Sequence, residues 1–353
     1  MEREVTLMEI LDARDRRAQR QRELLGQYAL PLVSFTLNIA GPVKNGTLIR
    51  RAFREGAERL EDALRGEGIA IAAREHIDEP TGCESFFVLR GDGERIKRLC
   101  IVLEDEDALG RLFDFDVIDP VHGKWDRTAL GFSERGCLIC GRAGKDCASR
   151  RAHSAAELQE KTAAILRGYF AEKDAQWLAG QAARALLTEV CTTPKPGLVD
   201  RANNGSHRDM DVFTFLDSTA ALLPYFLYAV RLGQETAALA PEETFARLRT
   251  EGLRAERAML AATRGVNTHK GAVYSVGLVC GAAGRLWTDA GFPRDINAIL
   301  DECARLAAPT ARRTLDGLCE TTVATAGERA YLRHGVRGVR GEAADGFPSV
   351  RYV

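Results

Sequence analysis

The chain changes its pattern at SAAELQEKTAAILRGYFAEKDAQWLAGQAARALLTEV, residues Ser154–Val190, where apolar positions begin to recur at helical spacing. This spacing covers Glu157–Phe170 and then Asp174–Val190. Strand patterns are present before this stretch and disappear after it. The change predicts two domains with a boundary between Arg150 and Asp174, which we place after residue 155.

The first domain, residues 1–155, mixes helical and strand periods. Two charged segments carry leucines at helical spacing, Leu7–Tyr28 and Lys44–Leu64. Three short runs are rich in β-formers: LVSFTLNI (Leu32–Ile39), SFFVLR (Ser85–Arg90) and RLCIVLE (Arg98–Glu104). The mixture is typical of an α+β or α/β domain, and we expect α+β.

The second domain, residues 156–353, is expected to be all-α. Beyond the opening stretch, apolar positions keep helical spacing in three more segments: Asp209–Val230, Glu242–Gly265 and Ala272–Leu286. No strand pattern interrupts them.

Composition excludes several classes of protein. Lys and Arg sum to 49 against 50 for Asp and Glu, so no net field indicates a nucleic-acid or membrane-surface binder. No apolar run reaches membrane-spanning length and the start lacks an apolar signal core, so we expect a cytoplasmic protein. An odd number of cysteines, nine, favours reduced thiols or clustered metal ligands over a disulfide framework.

Paired acids stand in RLFDFDVID, Arg111–Asp119. Strand alternation places Asp114 and Asp116 on one face and the apolar residues on the other. Two carboxylates on one face can hold Mg²⁺ against a polyphosphate, as phosphoryl and nucleotidyl transfer require. A half-exposed strand with a polar outer face is the alternative.

Two further motifs of the first domain are weaker. The acidic run Glu104–Asp107 could form another metal site, but it is expected to lie at a helix N-terminus, where acids complement the helix dipole. In NIAGPVKN, Asn38–Asn45, Lys44 follows a Gly-Pro turn and either faces a phosphate or belongs to a plain turn.

A cysteine and histidine cluster closes the first domain. The ligand types and the opening Cys-x2-Cys suit tetrahedral zinc, although the spacing matches no standard zinc module and structural thiols are the alternative. The four residues are Cys137, Cys140, Cys147 and His153. Five arginines make the surrounding segment basic, which suits a phosphate-rich ligand or a solvated loop: Arg127, Arg135, Arg142, Arg150 and Arg151.

The most informative stretch is TEVCTTPKPGLVDRANNGSHRDMD, Thr188–Asp211. Lys195 lies between two prolines and before Gly197, so a stiff, closely approachable backbone presents its ammonium group. A dense set of polar residues follows: Asp200, Arg201, Asn203, Asn204, His207, Asp209 and Asp211. The alternative is an ordinary polar loop in which His207 and Asp209 start the next helix.

Polar groups also fall on apolar helix faces of the second domain. Asp211 and Ser218 share a stripe with Phe215 and Leu222, and Glu256 shares a face with Met259 and Thr263 on the next helix; such stripes suggest a lined pocket. The next helix begins with five polar or small residues: Asn267, Thr268, His269, Lys270 and Gly271. Its free N–H groups, its dipole and Lys270 predict an anion site, unless Asn267 or Thr268 is an ordinary N-cap.

Two families resemble the two halves of the chain. The second half closely resembles the triphosphoribosyl-dephospho-coenzyme A synthase family through TPKPGLVDRANNGSHRDMD, the Ser218 helix and AERAMLAATRGVNTHKGAVYSVGL. The first half resembles the citrate lyase holo-acyl-carrier-protein synthase through SFTLNIAGPVK, GRLFDFDVID, the Arg127 region and RGCLICGRAGKDCASRRAH. The resemblance implies a nucleotidyltransferase-like α+β domain fused to an all-helical domain.

The resemblance also implies the reactions. The synthase half would join ATP and 3′-dephospho-CoA and release adenine, and the transferase half would pass the phosphoribosyl-dephospho-CoA arm to a serine of the acyl carrier protein of citrate lyase, releasing pyrophosphate. Lys195 and Lys270 are assigned to phosphates, and Glu256 to a base. Asp209 and Asp211 are assigned to Mg²⁺ or the developing cation, as Asp114 and Asp116 are to Mg²⁺.

The full set expected to bind substrate or phosphate is Lys44, Arg127, Lys195, Gly197, Asp200, His207, Ser218, Asn267, Thr268, His269, Lys270 and Gly271. Synthase members continue past the segment that matches Gly341–Val350, so the second domain is expected to be incomplete at its C-terminus.

Two other functions fit the same residues. One is the equivalent pathway for malonate decarboxylase, although the cysteine cluster and the fusion favour citrate lyase. The other is a catalytically silent scaffold that binds CoA or the carrier protein. The retained acids Asp114 and Asp116 count against the scaffold, and the short C-terminus favours it.

Overall fold

The computed structural model describes residues 3–150, 152–316, 332–335 and 337–351. The chain divides into two compact units, Met1–Phe170 and Ala171–Val353. The division falls within the helix Ala155–Cys191, C-terminal to the boundary predicted after residue 155.

The N-terminal unit is built on a five-stranded antiparallel sheet of order β2-β3-β1-β4-β5. Its strands are β1 (Leu32–Leu37), β2 (Ala70–Glu79), β3 (Gly82–Arg90), β4 (Phe113–Asp119) and β5 (Gly123–Lys124). Its helices are α1 (Leu7–Tyr28), α2 (Thr47–Gly66), α3 (Gly93–Asp105) and α4 (Gly144–Ser149). The antiparallel sheet with helices confirms the predicted α+β character.

An aromatic cluster joins α2 to the centre of this sheet. The Phe35 ring on β1 stacks on Phe53 at 4.6 Å and on Phe115 at 4.4 Å between ring centroids. A Cβ atom at Gly56 would lie 2.5 Å from the Phe35 ring, so glycine permits α2 to approach β1 closely. The polar residues of β4, Asp114 and Asp116, lie on the opposite face of the sheet.

Two predictions for the first domain are wrong. The run Arg98–Glu104 lies in helix α3, not in a strand, because Asp92 caps the helix by accepting the Arg95 N–H at 2.8 Å. Ile96 and Cys100, four residues apart, are then fully buried on one helix face. Glu104 and Asp105 consequently lie at the C-terminal end of α3, not at a helix N-terminus. Only Asp107 of the acidic run acts as predicted, because its Oδ1 accepts the Gly110 N–H at 2.7 Å at the start of the short 3-10 turn Gly110–Leu112.

The C-terminal unit is mostly helical, as predicted. Its long helices are α5 (Ala155–Cys191, shared with the first unit), α6 (Val212–Glu235), α7 (Pro241–Ala262), α8 (Lys270–Arg285) and α9 (Ile296–Asp316). Among the described residues after α9, Gly338–Ala344 and Pro348–Arg351 are short helices.

Helix α6 is the centre of the second core. Its Leu222, Phe226 and Ala229 have no exposed surface and belong to the main hydrophobic cluster. By length and composition alone α6 could also cross a membrane, which the search for long apolar runs did not predict. About a third of its apolar window is buried within the structure, in contact with α7 and α8.

Candidate active sites

Strand β4 presents the predicted acid pair. Asp114 and Asp116 alternate with Phe113, Phe115 and Val117, which are fully buried. The two carboxylate side chains are partly exposed, at 50% and 35%. Alternation along one strand thus places both acids on one face of the sheet, opposite the aromatic cluster that contacts α2, as the sequence predicts.

Two cations accompany the acids. Lys124 Nζ lies 2.7 Å from Asp116 Oδ1, and Arg135 Nη1 lies 3.9 Å from Asp114 Oδ1. Burial, and then the negative charge of Asp116, raise the pKa of Asp114. A cation placed between the two carboxylates would relieve this repulsion, so the pair is suited to a divalent ion.

Helix α3 holds the backbone between the two acids. Lys97 Nζ donates to the Phe115 carbonyl oxygen at 2.7 Å, and Glu104 Oε1 accepts the Phe115 N–H at 2.9 Å. Burial raises the pKa of Glu104. Lys97 and Glu104 therefore provide the hydrogen-bond partners of the Phe115 backbone groups at this edge of β4. No local sequence pattern indicated this role for either residue.

The cysteine and histidine cluster comes together. The ligand atoms of Cys137, Cys140, Cys147 and His153 all lie within 4.8 Å of one another. Cys140 Sγ and Cys147 Sγ are 3.4 Å apart, and His153 Nε2 is buried without a hydrogen-bond partner. Three thiols and one imidazole at this spacing can form a tetrahedral metal site.

Backbone hydrogen bonds favour a thiolate at the first cysteine. The N–H group of Cys140, and then that of Ile139, lower the pKa of Cys137, and the Ile139 nitrogen lies 3.5 Å from Cys137 Sγ. The hydrogen bond with Cys140 is the main cause that raises the pKa of Cys147 to about 11. A bound metal ion would displace the protons of these thiols and replace the hydrogen bonds between them, because metal ligation requires thiolates.

Two other predicted residues of this domain lie elsewhere. Lys44 Nζ donates to the Ile39 carbonyl oxygen at 2.5 Å, which fits the plain-turn alternative. Arg127 forms an ion pair with Asp105, and its Nε and Nη1 atoms are buried without hydrogen-bond partners. Arg151 of the basic segment lies outside the described residues.

In the C-terminal unit, Asp200 organises the Lys195 loop. Its Oδ2 accepts the Lys195 N–H at 3.0 Å, and its Oδ1 accepts those of Ala202 and Asn203 at 2.7 and 2.9 Å. These backbone bonds, with that from Asn203 the largest, lower the pKa of Asp200. Asp200 thus shapes the loop, while Lys195 Nζ pairs with Glu189 Oε1 at 2.8 Å.

Glycines bring two parts of this loop together. Gly197 has φ of 78°, in the left-handed region, and a Cβ atom at Gly205 would lie 2.5 Å from the Gly197 carbonyl carbon. His207 Nδ1 lies 4.0 Å from Asp209 Oδ1 on the same loop. The loop is therefore folded back on itself around Gly197.

The next helix begins at Val212, and its N-cap is Asp211. Asp211 Oδ1 accepts the Thr214 N–H at 2.9 Å, and this bond is the main cause that lowers the pKa of Asp211. The helix therefore does not start at His207 or Asp209, as the polar-loop alternative assumed.

A buried hydrogen-bonded group links α6 to the loop before α8. Thr268 Oγ1 donates to Ser218 Oγ at 2.7 Å, and Ser218 Oγ lies 2.7 Å from His269 Nδ1. His269 is 6% exposed, and burial lowers its pKa. The sequence predicted Ser218 for a lined pocket and Thr268 and His269 for an anion site, and the structure joins the two groups through Ser218 Oγ.

Lys270, at the start of α8, forms an ion pair with Glu256 of α7. Both line a cavity of about 340 Å³ together with Gly271, Tyr225 and Tyr274. The Lys270 N–H donates to Asn267 Oδ1 at 3.3 Å, while the N-cap position itself is His269. The predicted phosphate ligand and the predicted base are thus direct partners, which the spacing alone did not reveal.

The two sites belong to different known families. Residues 5–169 match the apo-citrate lyase phosphoribosyl-dephospho-CoA transferase family. Residues 175–353 match the ATP:dephospho-CoA triphosphoribosyl transferase family. The chain is therefore a transferase with two transferase domains in tandem.

Similar proteins share this order of domains. The chain is 38% identical to protein CitXG of Haemophilus influenzae, over 97% of this chain and 74% of the relative. It is 35% identical to protein CitXG of Leuconostoc mesenteroides subsp. cremoris, over 98% of this chain and 76% of the relative. The chain belongs to this family of fused proteins, which confirms the resemblance recognised in its motifs.

The second domain also has separate relatives. It is 48% identical over 168 residues to the 2-(5''-triphosphoribosyl)-3'-dephosphocoenzyme-A synthase of Pectobacterium atrosepticum. That match covers 48% of this chain and 55% of the synthase. The same domain thus occurs both fused and within a synthase protein.

Proposed function

We propose that this chain both makes and attaches the prosthetic group of citrate lyase. The C-terminal domain joins ATP to 3′-dephospho-CoA, giving 2′-(5″-triphosphoribosyl)-3′-dephospho-CoA and adenine. The N-terminal domain then transfers the phosphoribosyl-dephospho-CoA arm to a serine of the acyl carrier protein and releases pyrophosphate. The tandem family matches over residues 5–169 and 175–353 carry this proposal.

We assign the attachment step to residues 1–155 and the synthesis step to residues 156–353. A nucleotidyltransferase-like fold for the first domain is supported by its mixed sheet-and-helix architecture and by the acids on β4. In the transfer, the serine oxygen forms a bond to the α-phosphorus as the bond from that phosphorus to the pyrophosphate oxygen breaks. The serine proton leaves to solvent or a base.

Asp114 and Asp116 are the proposed Mg²⁺ ligands of the transfer site. Hard oxygen donors on one strand face suit this ion. Burial, and then the charge of Asp116, raise the pKa of Asp114, so a bound cation would favour its charged form. A bound Mg²⁺ would supply charge neutralisation for the polyphosphate. Lys97 and Glu104 fix the backbone at Phe115, which keeps the two carboxylates oriented toward the same side.

Cys137, Cys140, Cys147 and His153 are proposed to hold zinc. All four positions of a tetrahedral site are filled by side chains of this cluster, as in structural zinc sites. The cluster thus supports a role in holding the loop rather than in activating a substrate.

The synthesis step separates adenine from a ribose carbon, and its transition state has oxocarbenium character. Such a site needs a carboxylate near that carbon and cations for the triphosphate. Lys270 and Glu256, at one cavity wall, supply one group of each kind. We assign the triphosphate to Lys195 and Lys270, the general base to Glu256, and Mg²⁺ or the developing charge to Asp209 and Asp211.

The remaining assignments to substrate or phosphate binding stay proposals. In the first domain these are Lys44 and Arg127, and in the second they are Gly197, Asp200, His207, Ser218, Asn267, Thr268, His269 and Gly271. The acyl carrier protein of citrate lyase is the proposed macromolecular partner. A cytoplasmic location also stays a prediction.

Separate assays of the two steps test the proposal. Adenine released from ATP and 3′-dephospho-CoA reports the C-terminal domain, and the mass of carrier protein incubated with pre-made precursor reports the N-terminal domain. Activity in both assays supports the bifunctional assignment. Binding of CoA or carrier protein without either reaction would instead indicate the silent scaffold.

A further inference from the structure

A cavity of about 680 Å³ in the N-terminal unit is lined on one side by Cys137, Cys147 and His153 of the proposed zinc cluster, and its remaining wall has no role in the assignments above. Two guanidinium groups, Arg111 and Arg135, line it together with Asn38 and Ser154. Among the side chains that the structure describes, its lining includes no carboxylate. The cysteine loop, defined as residues 136–147, forms another part of its wall.

The two arginines hold each other in place. Arg111 Nη2 donates to the Gly136 carbonyl oxygen at 2.5 Å, and Arg135 Nη2 donates to the Arg111 carbonyl oxygen at 3.0 Å. Each guanidinium thus binds the backbone of the segment that carries the other. Their positions are fixed before any ligand arrives, which lowers the entropy cost of binding.

The cysteine loop fixes the same arrangement from the other side. The Gly144 N–H donates to the Arg135 carbonyl oxygen at 3.0 Å, and a Cβ atom at Gly144 would lie 2.9 Å from that oxygen. A Cβ atom at Gly136 would lie 2.7 Å from the Gly141 carbonyl oxygen. Glycines at these positions let the loop pack directly against the arginine segment.

Arg135 connects this cavity to the acid pair. Its Nη1 atom approaches Asp114 Oδ1 only to 3.9 Å, which is longer than a hydrogen bond. Arg111 Nη1 approaches its partner Asp105, which also pairs with Arg127, only to 3.5 Å. A divalent ion that drew the Asp114 charge to itself would leave Arg135 without its nearest anion.

We propose that Arg111 and Arg135 form a diphosphate subsite that holds the terminal phosphates of the triphosphoribosyl substrate and the pyrophosphate that leaves. The proposal rests on the transfer function above, since it places the leaving group of that reaction. Guanidinium forks suit phosphate oxygens, and the absence of carboxylates from the described cavity lining favours an anion. The substrate chain then extends from the acid pair into the cavity.

Calorimetric titration with inorganic pyrophosphate in the presence of Mg²⁺ tests the subsite on the full chain. Arg111→Gln and Arg135→Gln are each expected to weaken binding about tenfold or more, as lost charge-assisted bonds imply. Arg65→Gln is the matched control, because Arg65 is 76% exposed and pairs only locally with Asp62 among described contacts. Its affinity should equal that of the wild type.

Arg135→Lys keeps the positive charge but loses the two-pronged guanidinium, so its affinity for pyrophosphate should lie between those of the wild type and Arg135→Gln. This variant also serves as the test if Arg135→Gln does not fold. Thermal unfolding without ligand identifies the folded variants. Wild-type affinity in both glutamine variants, no pyrophosphate binding by the wild type, or equally tight binding of sulfate would overturn the subsite.

Carrier-protein mass keeps this proposal separate from the transfer function. The subsite is refuted and the transfer function stands if the wild type transfers pre-made precursor but binds pyrophosphate equally well with and without Arg111 and Arg135. Arginine-dependent pyrophosphate binding without any transfer would support the subsite and refute the function.

Discussion

Asp116 on strand β4 forms an ion pair with Lys124 on the neighbouring strand β5, with 2.7 Å between Oδ1 and Nζ. The acid pair therefore already has a cation at one end in the ligand-free protein. A divalent ion at Asp114 and Asp116 has to compete with this ammonium group. The proposed metal site would therefore require the Lys124 ammonium group to give up this contact.

Asp114→Asn and Asp116→Asn are each expected to abolish transfer of pre-made precursor to the carrier protein. Each replaces a partly exposed carboxylate that would bind the metal by a neutral amide of similar size, so the fold should survive. Carrier-protein mass measures the transfer, and thermal unfolding checks the fold. Asp62→Asn, at an exposed acid on α2, is the control and should transfer normally. Wild-type transfer by both strand variants would refute the metal assignment.

Freshly purified protein is expected to contain about one equivalent of zinc, since four side-chain ligands form one closed tetrahedral site. Cys140→Ser should lower the zinc content, because Cys140 belongs to the cluster. Cys191 lies outside the cluster, so the Cys191→Ser variant should keep its zinc. Elemental analysis measures both. A fully folded, metal-free wild type would leave only structural thiols at the cluster.

Lys270→Ala is expected to weaken binding of ATP–Mg²⁺ by roughly ten- to a hundredfold, the cost of one charge-assisted phosphate contact. Transfer of pre-made precursor by the other domain should not change. Glu256→Gln removes the partner of Lys270, so it should retain ATP binding while slowing adenine release. Calorimetry and an adenine assay separate these effects. Equal ATP affinity in wild type and Lys270→Ala would place the site elsewhere.

Acid is expected to destabilise the C-terminal domain through His269. Burial lowers the pKa of His269 in the folded state, so the unfolded chain takes up this proton at higher pH. Stability from neutral His269 is therefore present above about pH 6.5 and is lost as the pH falls below it, by up to about 1.4 kcal/mol per pH unit.

Denaturant unfolding at pH 7.5 and 5.5 measures this contribution. The wild type should lose more stability on acidification than His269→Gln, which lacks the titrating ring. The same loss in both proteins would show that His269 does not sense the pH change. Ser218→Ala is an informative second variant because it removes the hydroxyl that contacts His269 Nδ1.

Periodicity predicted the elements whose core face repeats regularly, such as α1 and the alternating strand β4. It failed for Arg98–Glu104, because a short apolar run fits a strand or a buried helix equally well. The Asp92 cap and the packing of this segment against β4 favour the helix. The contact with β4 joins residues far apart in the sequence, so a local pattern does not reveal it.

The candidate sites show the same division. Residue types within one motif predicted the acid pair and the cysteine cluster, because their members are close in sequence. The pair Lys270 and Glu256, and the bond from Glu104 to Phe115, depend on how separate elements pack. Such contacts leave no periodic signal in one sequence.

The most direct test is the intact mass of the citrate lyase acyl carrier protein after incubation with this chain, ATP, Mg²⁺ and 3′-dephospho-CoA. The account predicts that the carrier gains one phosphoribosyl-dephospho-CoA arm on a serine, with one adenine and one pyrophosphate released for each arm. Omission of ATP, or the Asp114→Asn variant, should abolish the gain. An unchanged carrier mass, when a separate synthase and transferase modify the same carrier preparation, would contradict the account.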